Sequence, residues 1–217
     1  MWQHWLETTE QSVGQIRVVV FVKAPREGYV KTRLAESLGD EGALNAYVSM
    51  VDCLIEELAA IPYVQLRYAP ADAKDELAPW MRNGWESVSQ CDGGLGEKLT
   101  DAFESAFSKG IERVVVIGSD CPYVTLSDLQ SAVRGLDESD VVLGPSVDGG
   151  YWLVALKAPC TELFEGIDWS TEKVFEQTEA KAVSNGLKVF ALRQLEDIDT
   201  QEEWQRFIDF ELEVGSP

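Results

Sequence analysis

The run Lys23-Ala-Pro-Arg-Glu-Gly-Tyr-Val-Lys-Thr-Arg-Leu34 gathers Lys23, Arg26, Lys31 and Arg33, with only Glu27 opposing them. The whole chain carries a net charge of −20, from 18 basic and 38 acidic residues, so a basic cluster marks a place where negative charge is received. Pro25 and Gly28 shape a turn. A helix is expected to open near Thr32, where the first N–H groups have no intrahelical acceptor. Unpaired N–H groups beside fixed positive charge suit a di- or triphosphate. Lys23, Ala24, Pro25, Gly28, Lys31 and Arg33 are therefore the candidate phosphate cradle, with a solvated basic turn as the bland alternative. The run lacks GxxxxGKS/T and is not a Walker A loop.

Asp120 stands at the tip of the apolar stretch Val114–Ile117, in Ile117-Gly-Ser-Asp-Cys-Pro122. A carboxylate there is costly to bury unless something positive meets it. A hard cation, Mg2+ or Mn2+, held by carboxylate and phosphate oxygens is the natural partner, with Ser119 beside it as a phosphate contact. The alternative is that Asp120 caps a turn. On the metal reading, Asp120→Asn is expected to leave unliganded stability unchanged or slightly higher.

Leu143-Gly-Pro-Ser-Val-Asp-Gly-Gly-Tyr151 is either a plain hairpin turn or a substrate loop. In the second case Gly149 and Gly150 let a substrate approach the backbone, next to Tyr151. Asp148 then binds hydroxyls or a metal, and it is the best candidate general base. Glu196-Asp-Ile-Asp-Thr200 offers Asp197 and Asp199; one of them completes the metal site, or Asp199 or Thr200 simply caps the last helix. Trp169, in Trp169-Ser-Thr171, stacks on a ligand or packs. The single histidine, His4, is remote in the N-terminal tail, which excludes a His-based triad and a multi-His metal site. Cys121 lacks the histidine that a nucleophile would need.

Bringing such separated loops together requires a sheet. Short β-branched or apolar runs are expected as strands at Ile16–Val22, Tyr63–Tyr68, Trp85–Ser89, Arg113–Ile117, Asp140–Leu143, Tyr151–Leu156 and Leu187–Leu192. Helical spacing occupies Asp40–Ile61, Asp72–Met81 (capped by Asp72), Gly96–Lys109, Thr125–Leu136 (capped by Thr125), Ser170–Asn185 and Thr200–Leu212. Alternation of this kind predicts a three-layer α/β sandwich around a mixed, mostly parallel sheet. In such sheets ligands bind beyond the carboxyl ends of the strands, where the strand order reverses. The cradle, Asp120 and the Asp197–Asp199 segment all follow strands.

With 217 residues, no repeat and no linker, residues 16–217 are expected as one domain behind a tail over 1–15. Four isolated cysteines without a CxxC pair suit a reducing cytoplasm. No stretch approaches the ~20 apolar residues of a membrane span, and MWQHWLETTEQ has no signal-peptide pattern. The negative charge makes nucleic acid and anionic membranes poor partners.

Taken together, the motifs resemble a bacterial family of GT-A-like transferases, the arsenosugar-biosynthesis-associated glycosyltransferases. That family's pattern appears here as Lys23–Leu34, Leu95–Glu97, Gly118–Pro122, Gly144–Tyr151, Trp169–Thr171 and Asp197–Thr200, in the same order over about residues 16–205. The resemblance implies the nucleotide-diphospho-sugar transferase (GT-A, Rossmann-like) fold, with the nucleotide over the carboxyl edge and Gly96 near it. Where such enzymes carry D-x-D, this chain has Gly118-Ser119-Asp120, so a second carboxylate must come from elsewhere. The first loop and the D-G-G segment also look like guanylyltransferases acting on phosphorylated lactate or enolpyruvate. Three functions are thus in play. One is metal-dependent glycosyl transfer from a nucleotide sugar to a small acceptor. Another is nucleotidyl transfer from a nucleoside triphosphate to a small phosphorylated substrate. The last is a non-catalytic nucleotide- or sugar-binding module.

Overall fold

A computed structural model describes residues 15–214; the expected tail, with Trp2, His4 and Trp5, lies outside the described residues. Strands β1 (Ile16–Lys23), β2 (Val64–Ala69), β3 (Glu86–Ser89), β4 (Arg113–Gly118), β5 (Val141–Pro145), β6 (Tyr151–Leu156) and β7 (Val189–Ala191) form one sheet in the order β3-β2-β1-β4-β6-β5-β7. All neighbours run parallel except β6, which lies antiparallel between β4 and β5. This is the mixed, mostly parallel sheet expected from the sequence.

Five α-helices among the described residues cover it: α1 (Thr32–Leu58), α2 (Leu95–Phe107), α3 (Leu126–Glu138), α4 (Val174–Ser184) and α5 (Gln201–Val214). The period-2 alternation of a strand divides the core between two faces. Val18, Val20 and Val22 of β1 pack with Tyr47 and Leu54 of α1, Leu129 of α3 and Phe207 of α5. Val19 packs with Leu99 and Phe103 of α2 and Ala182 of α4. β4 repeats the division, with Val115 and Ile117 on the first face and Val114 and Val116 on the second. Helices on both faces explain why the central strands are apolar without interruption.

Local differences from expectation have local causes. α1 starts at Thr32 and runs through the region expected from Asp40, broken only at Gly39, whose φ of 73° is left-handed. The helix expected over Asp72–Met81 is a 3-10 segment, Lys74–Trp80, interrupted by Pro79. Asp72 caps nothing there; its carboxylate pairs with Arg26. α4 begins at Val174 and not at Ser170, because Ser170 adopts φ 64°. Thr125 does cap α3, accepting from Asp128 N while Asp128 Oδ2 accepts from Thr125 N at 2.8 Å.

From β1 the chain steps outward to β2 and β3, then returns to place β4 on the other side of β1. The strand order therefore reverses between β1 and β4, and the loops leaving these two strands open a crevice.

Candidate active site

An open cavity of about 720 Å³ occupies that crevice, reaching from the carboxyl ends of β1 and β2 past β4 to the start of β6. Lys31 does not line it but lies behind two residues that do, Asp120 and Asp199. Its φ of 48° is left-handed, uncommon for a residue with a side chain, and it precedes the first turn of α1. The side chain is only 3% exposed, yet it is not alone: Nζ lies 2.5 Å from Asp120 Oδ1 and 3.1 Å from Asp199 Oδ1. Burial disfavours the ammonium, but these two carboxylates outweigh it and hold Lys31 above the ordinary lysine value. Arg33 Nη1 reaches the other Asp199 oxygen at 3.3 Å.

Two loops far apart in the chain are joined here by main chain, since Ile198 N donates to Asp120 O at 2.9 Å. That bond sets Asp197 beside Asp120. Ser146 Oγ donates to Asp197 Oδ2 at 3.1 Å. Burial, with the Asp120 and Asp148 charges adding to it, pushes the Asp197 carboxyl up to about 7. Asp148 is exposed, and its Oδ1 accepts from Gly150 N at 2.9 Å, which fixes the tight D-G-G turn. Gly149 has φ 87°, and a Cβ there would lie 2.2 Å from Glu172 O. The D-G-G turn is thereby seated against the segment carrying Trp169 and Glu172.

Behind the cradle, the Tyr47 hydroxyl accepts from Lys23 N at 2.8 Å and lies 3.2 Å from Ser119 Oγ. Burial raises the Tyr47 phenol above its ordinary value, so it stays protonated. Arg193 fastens the second loop from outside: Nε and Nη2 each donate to Asp128 at 2.7 Å, and Nη2 also donates to Tyr123 O at 3.0 Å. Among the described residues no group of three or more His, Cys, Asp or Glu is placed to hold a metal ion. Asp120 and Asp197 are nonetheless a mutually repelling pair. Two carboxylates plus substrate phosphates suffice for Mg2+, which seldom occupies an all-protein cage.

The family model described as "Uncharacterized protein conserved in bacteria (DUF2064)" matches residues 57–171. The chain belongs to DUF2064. A solved structure from Desulfovibrio desulfuricans G20, named as a candidate nucleotide-diphospho-sugar transferase, is 32% identical, with a TM-score of 0.80 over 85% of this chain and 82% of that one. The phosphoenolpyruvate guanylyltransferase of Sphaerobacter thermophilus is 26% identical over 176 residues, 81% of this chain and 83% of that protein. The 2-phospho-L-lactate guanylyltransferase of Methanocaldococcus jannaschii is 24% identical over 145 residues, 66% of this chain and 61% of that protein. All three names are those of transferases, in agreement with the class expected from the sequence.

In this DUF2064 chain, Lys23, Arg33, Ser119, Asp120, Asp148, Gly150, Tyr151, Trp169, Asp197 and Asp199 all line the same cavity, although they come from five separate stretches of sequence. Other expectations need correction. Ala24 is fully buried and Lys31 nearly so, and neither they nor Pro25, Gly28 or Gly149 line the cavity, so Lys31 meets carboxylates where a phosphate was expected. Gly28, at φ 70°, only turns the chain. Arg26 points away, its guanidinium held by Glu76 at 2.5 Å. Gly96 is buried under Trp169, where a Cβ would meet Nε1 at 2.9 Å, and it does not line the cavity. Asp199 does not cap the last helix: its carboxylate is shared by Lys31 and Arg33, and Thr200 and Glu203 form the cap instead. Lys98 and Gln90 line the cavity and were not singled out. Lys98 follows the L-G-E segment one turn into α2, and Gln90 follows β3, so the rule of carboxyl strand ends was the signal for Gln90.

Proposed function

We propose that this chain is a divalent-cation-dependent nucleotidyltransferase that moves a nucleoside monophosphate from a nucleoside triphosphate to a small acceptor. The observation that carries this reading is the facing of opposite charges in one crevice: Lys23, Arg33 and Lys98 on the β1–β3 side, Asp120 and Asp197 beyond them. A polyphosphate needs the first set, and a cation bridging to it needs the second. Asp120 and Asp197 would hold Mg2+ or Mn2+, which when bound neutralises phosphate charge and polarises the phosphorus under attack. Lys23, Lys98 and Arg33 hold the phosphates, and the charge that develops on the leaving pyrophosphate is stabilised by the same cations. Lys31 keeps Asp120 and Asp199 in place. The acceptor oxygen attacks the α-phosphorus in line, the bond from that phosphorus to the β-bridging oxygen breaks, and pyrophosphate departs.

The two guanylyltransferases among the relatives support nucleotidyl transfer. Glycosyl transfer from a nucleotide sugar is the second reading, favoured by the name of the Desulfovibrio neighbour. It would use the same cations and carboxylates on a diphosphate leaving group. Thermal shift with each nucleoside triphosphate, with Mn2+ or with EDTA, tests the common part. Ligand at 100 times its Kd should add about 2.7 kcal/mol of stability. That gain must vanish in EDTA, and an equal shift in both conditions would refute cation dependence. The released product then separates the readings, pyrophosphate for nucleotidyl transfer and a nucleoside diphosphate for glycosyl transfer.

A further inference from the structure

Charge is sorted along the cavity. The lining cations Lys23, Arg33 and Lys98 belong to the end of β1, the start of α1 and the first turn of α2. Beyond the carboxylates Asp120 and Asp197, assigned above to the cation, the charged lining residues at the β6 end are Asp148 and Glu172, and among the described residues no cationic side chain lines the cavity there. Lys173, next along the chain, is the N-cap of α4 and does not join the lining. We infer that this acidic end takes an uncharged hydroxyl compound, a sugar or polyol, as acceptor, and rejects phosphorylated or carboxylated acids. The inference rests on the nucleotidyltransferase reading only for the identity of the other substrate.

An anionic acceptor would be pressed against like charge, whereas hydroxyl groups donate to carboxylates, which are acceptors only. Tyr151 and Trp169, packed edge to face with centroids 6.4 Å apart, line the same end and supply apolar surface for the carbon skeleton of such a ligand. The chemistry agrees. A phosphate or carboxylate nucleophile is already an anion and needs no base, but a hydroxyl must lose its proton as its oxygen bonds to the α-phosphorus. The exposed carboxylate of Asp148 lies at this end to accept that proton, while the electron pair of the broken P–O bond leaves with pyrophosphate. The wall is also fixed. Besides the seating of Gly149 on Glu172, Phe175 N donates to Gly149 O at 2.9 Å, so Asp148 and Glu172 belong to one rigid surface.

The test uses the full chain with Mg2+ and the tightest-binding of the four nucleoside triphosphate analogues that resist cleavage at the α-phosphorus. Calorimetric titrations follow with phosphoenolpyruvate and with glucose, mannose, ribose, inositol and glycerol. At least one neutral compound should bind at least about a hundredfold more tightly than phosphoenolpyruvate. Glu172→Lys should narrow that ratio by about tenfold or more, chiefly by strengthening phosphoenolpyruvate, with nucleotide affinity unchanged. Tighter binding of phosphoenolpyruvate than of every neutral compound by the unaltered protein would overturn the inference, and so would the failure of all the neutral compounds to bind. Failure of the nucleotide analogues to bind, with a neutral compound still bound, would instead remove the nucleotidyltransferase reading and leave the acceptor class standing.

Discussion

Asp120→Asn keeps the shape of the side chain and removes one charge from the pair with Lys31. Taken from the sequence, that change was expected to spare or slightly raise the stability of the unliganded protein. The ion pair at 2.5 Å to a lysine only 3% exposed reverses the sign. Unit charges about 4 Å apart interact by about 4 kcal/mol at an effective dielectric of 20. Asp120 is 48% exposed, so solvent screens much of this, and Asp199 remains to compensate Lys31. A loss of about 1–2 kcal/mol follows, between the value for exposed pairs and that for broken buried ones. In a chain of this size that lowers Tm by roughly 2–8 °C. Turnover should fall at least about a hundredfold, as for loss of a principal electrostatic contact. The assay is a double-mutant cycle with Lys31→Met, read by chemical denaturation without ligand and by pyrophosphate release with it. Zero coupling in stability between positions 31 and 120 would refute the ion-pair argument, and normal turnover of Asp120→Asn would remove Asp120 from the chemistry.

Asp197 makes stability depend on pH in a defined window. Its folded value of about 7 lies above the roughly 3.9 of an unfolded aspartate, so the folded state holds the proton more tightly and stability declines as pH rises from about 4 to about 7. Asp197→Asn should therefore gain stability over the unaltered chain at pH 8 relative to pH 4, and an equal difference at both pH values would contradict this. Gly149→Ala forces a Cβ into the Glu172 carbonyl at φ 87°, which should cost at least about 1–3 kcal/mol and slow turnover through displacement of Asp148; a variant as stable as the original would show that the contact is not tight. With a net charge of −20, micromolar binding to mixed-sequence DNA at physiological salt is not expected, and a gel-shift titration that found it would refute the electrostatic reading.

The frame was legible because its signals are periodic. Val18, Val20 and Val22 against Val19 declare a strand covered on both faces, and the alternation of strands and helices declares the layers. The carboxyl-end rule then brought Lys23, Asp120 and the Asp197–Asp199 segment to one crevice. The division of labour between Asp197 and Asp199 was not legible, because residues two apart in a loop carry no periodic signal for which way each turns. Only packing gives Asp199 to Lys31 and Arg33 and sets Asp197 beside Ser146. Arg67 is a stronger case. A charged residue within the expected strand Tyr63–Tyr68, it is 1% exposed and its guanidinium bridges Gln65 and Asp101. Its partner on α2 is fixed by the tertiary fold and by nothing local.

The bond from Ile198 N to Asp120 O also fixes when the site can exist. During synthesis the chain emerges from its N-terminus, and the cradle, β1 and β4 are all available long before residues 197–198. A growing chain can thus close most of its sheet while Asp120 still lacks the neighbour that makes it a candidate cation site. Nucleotide and cation together should bind only after the last loop has docked, so nascent or C-terminally clipped chains would not compete with finished ones for either.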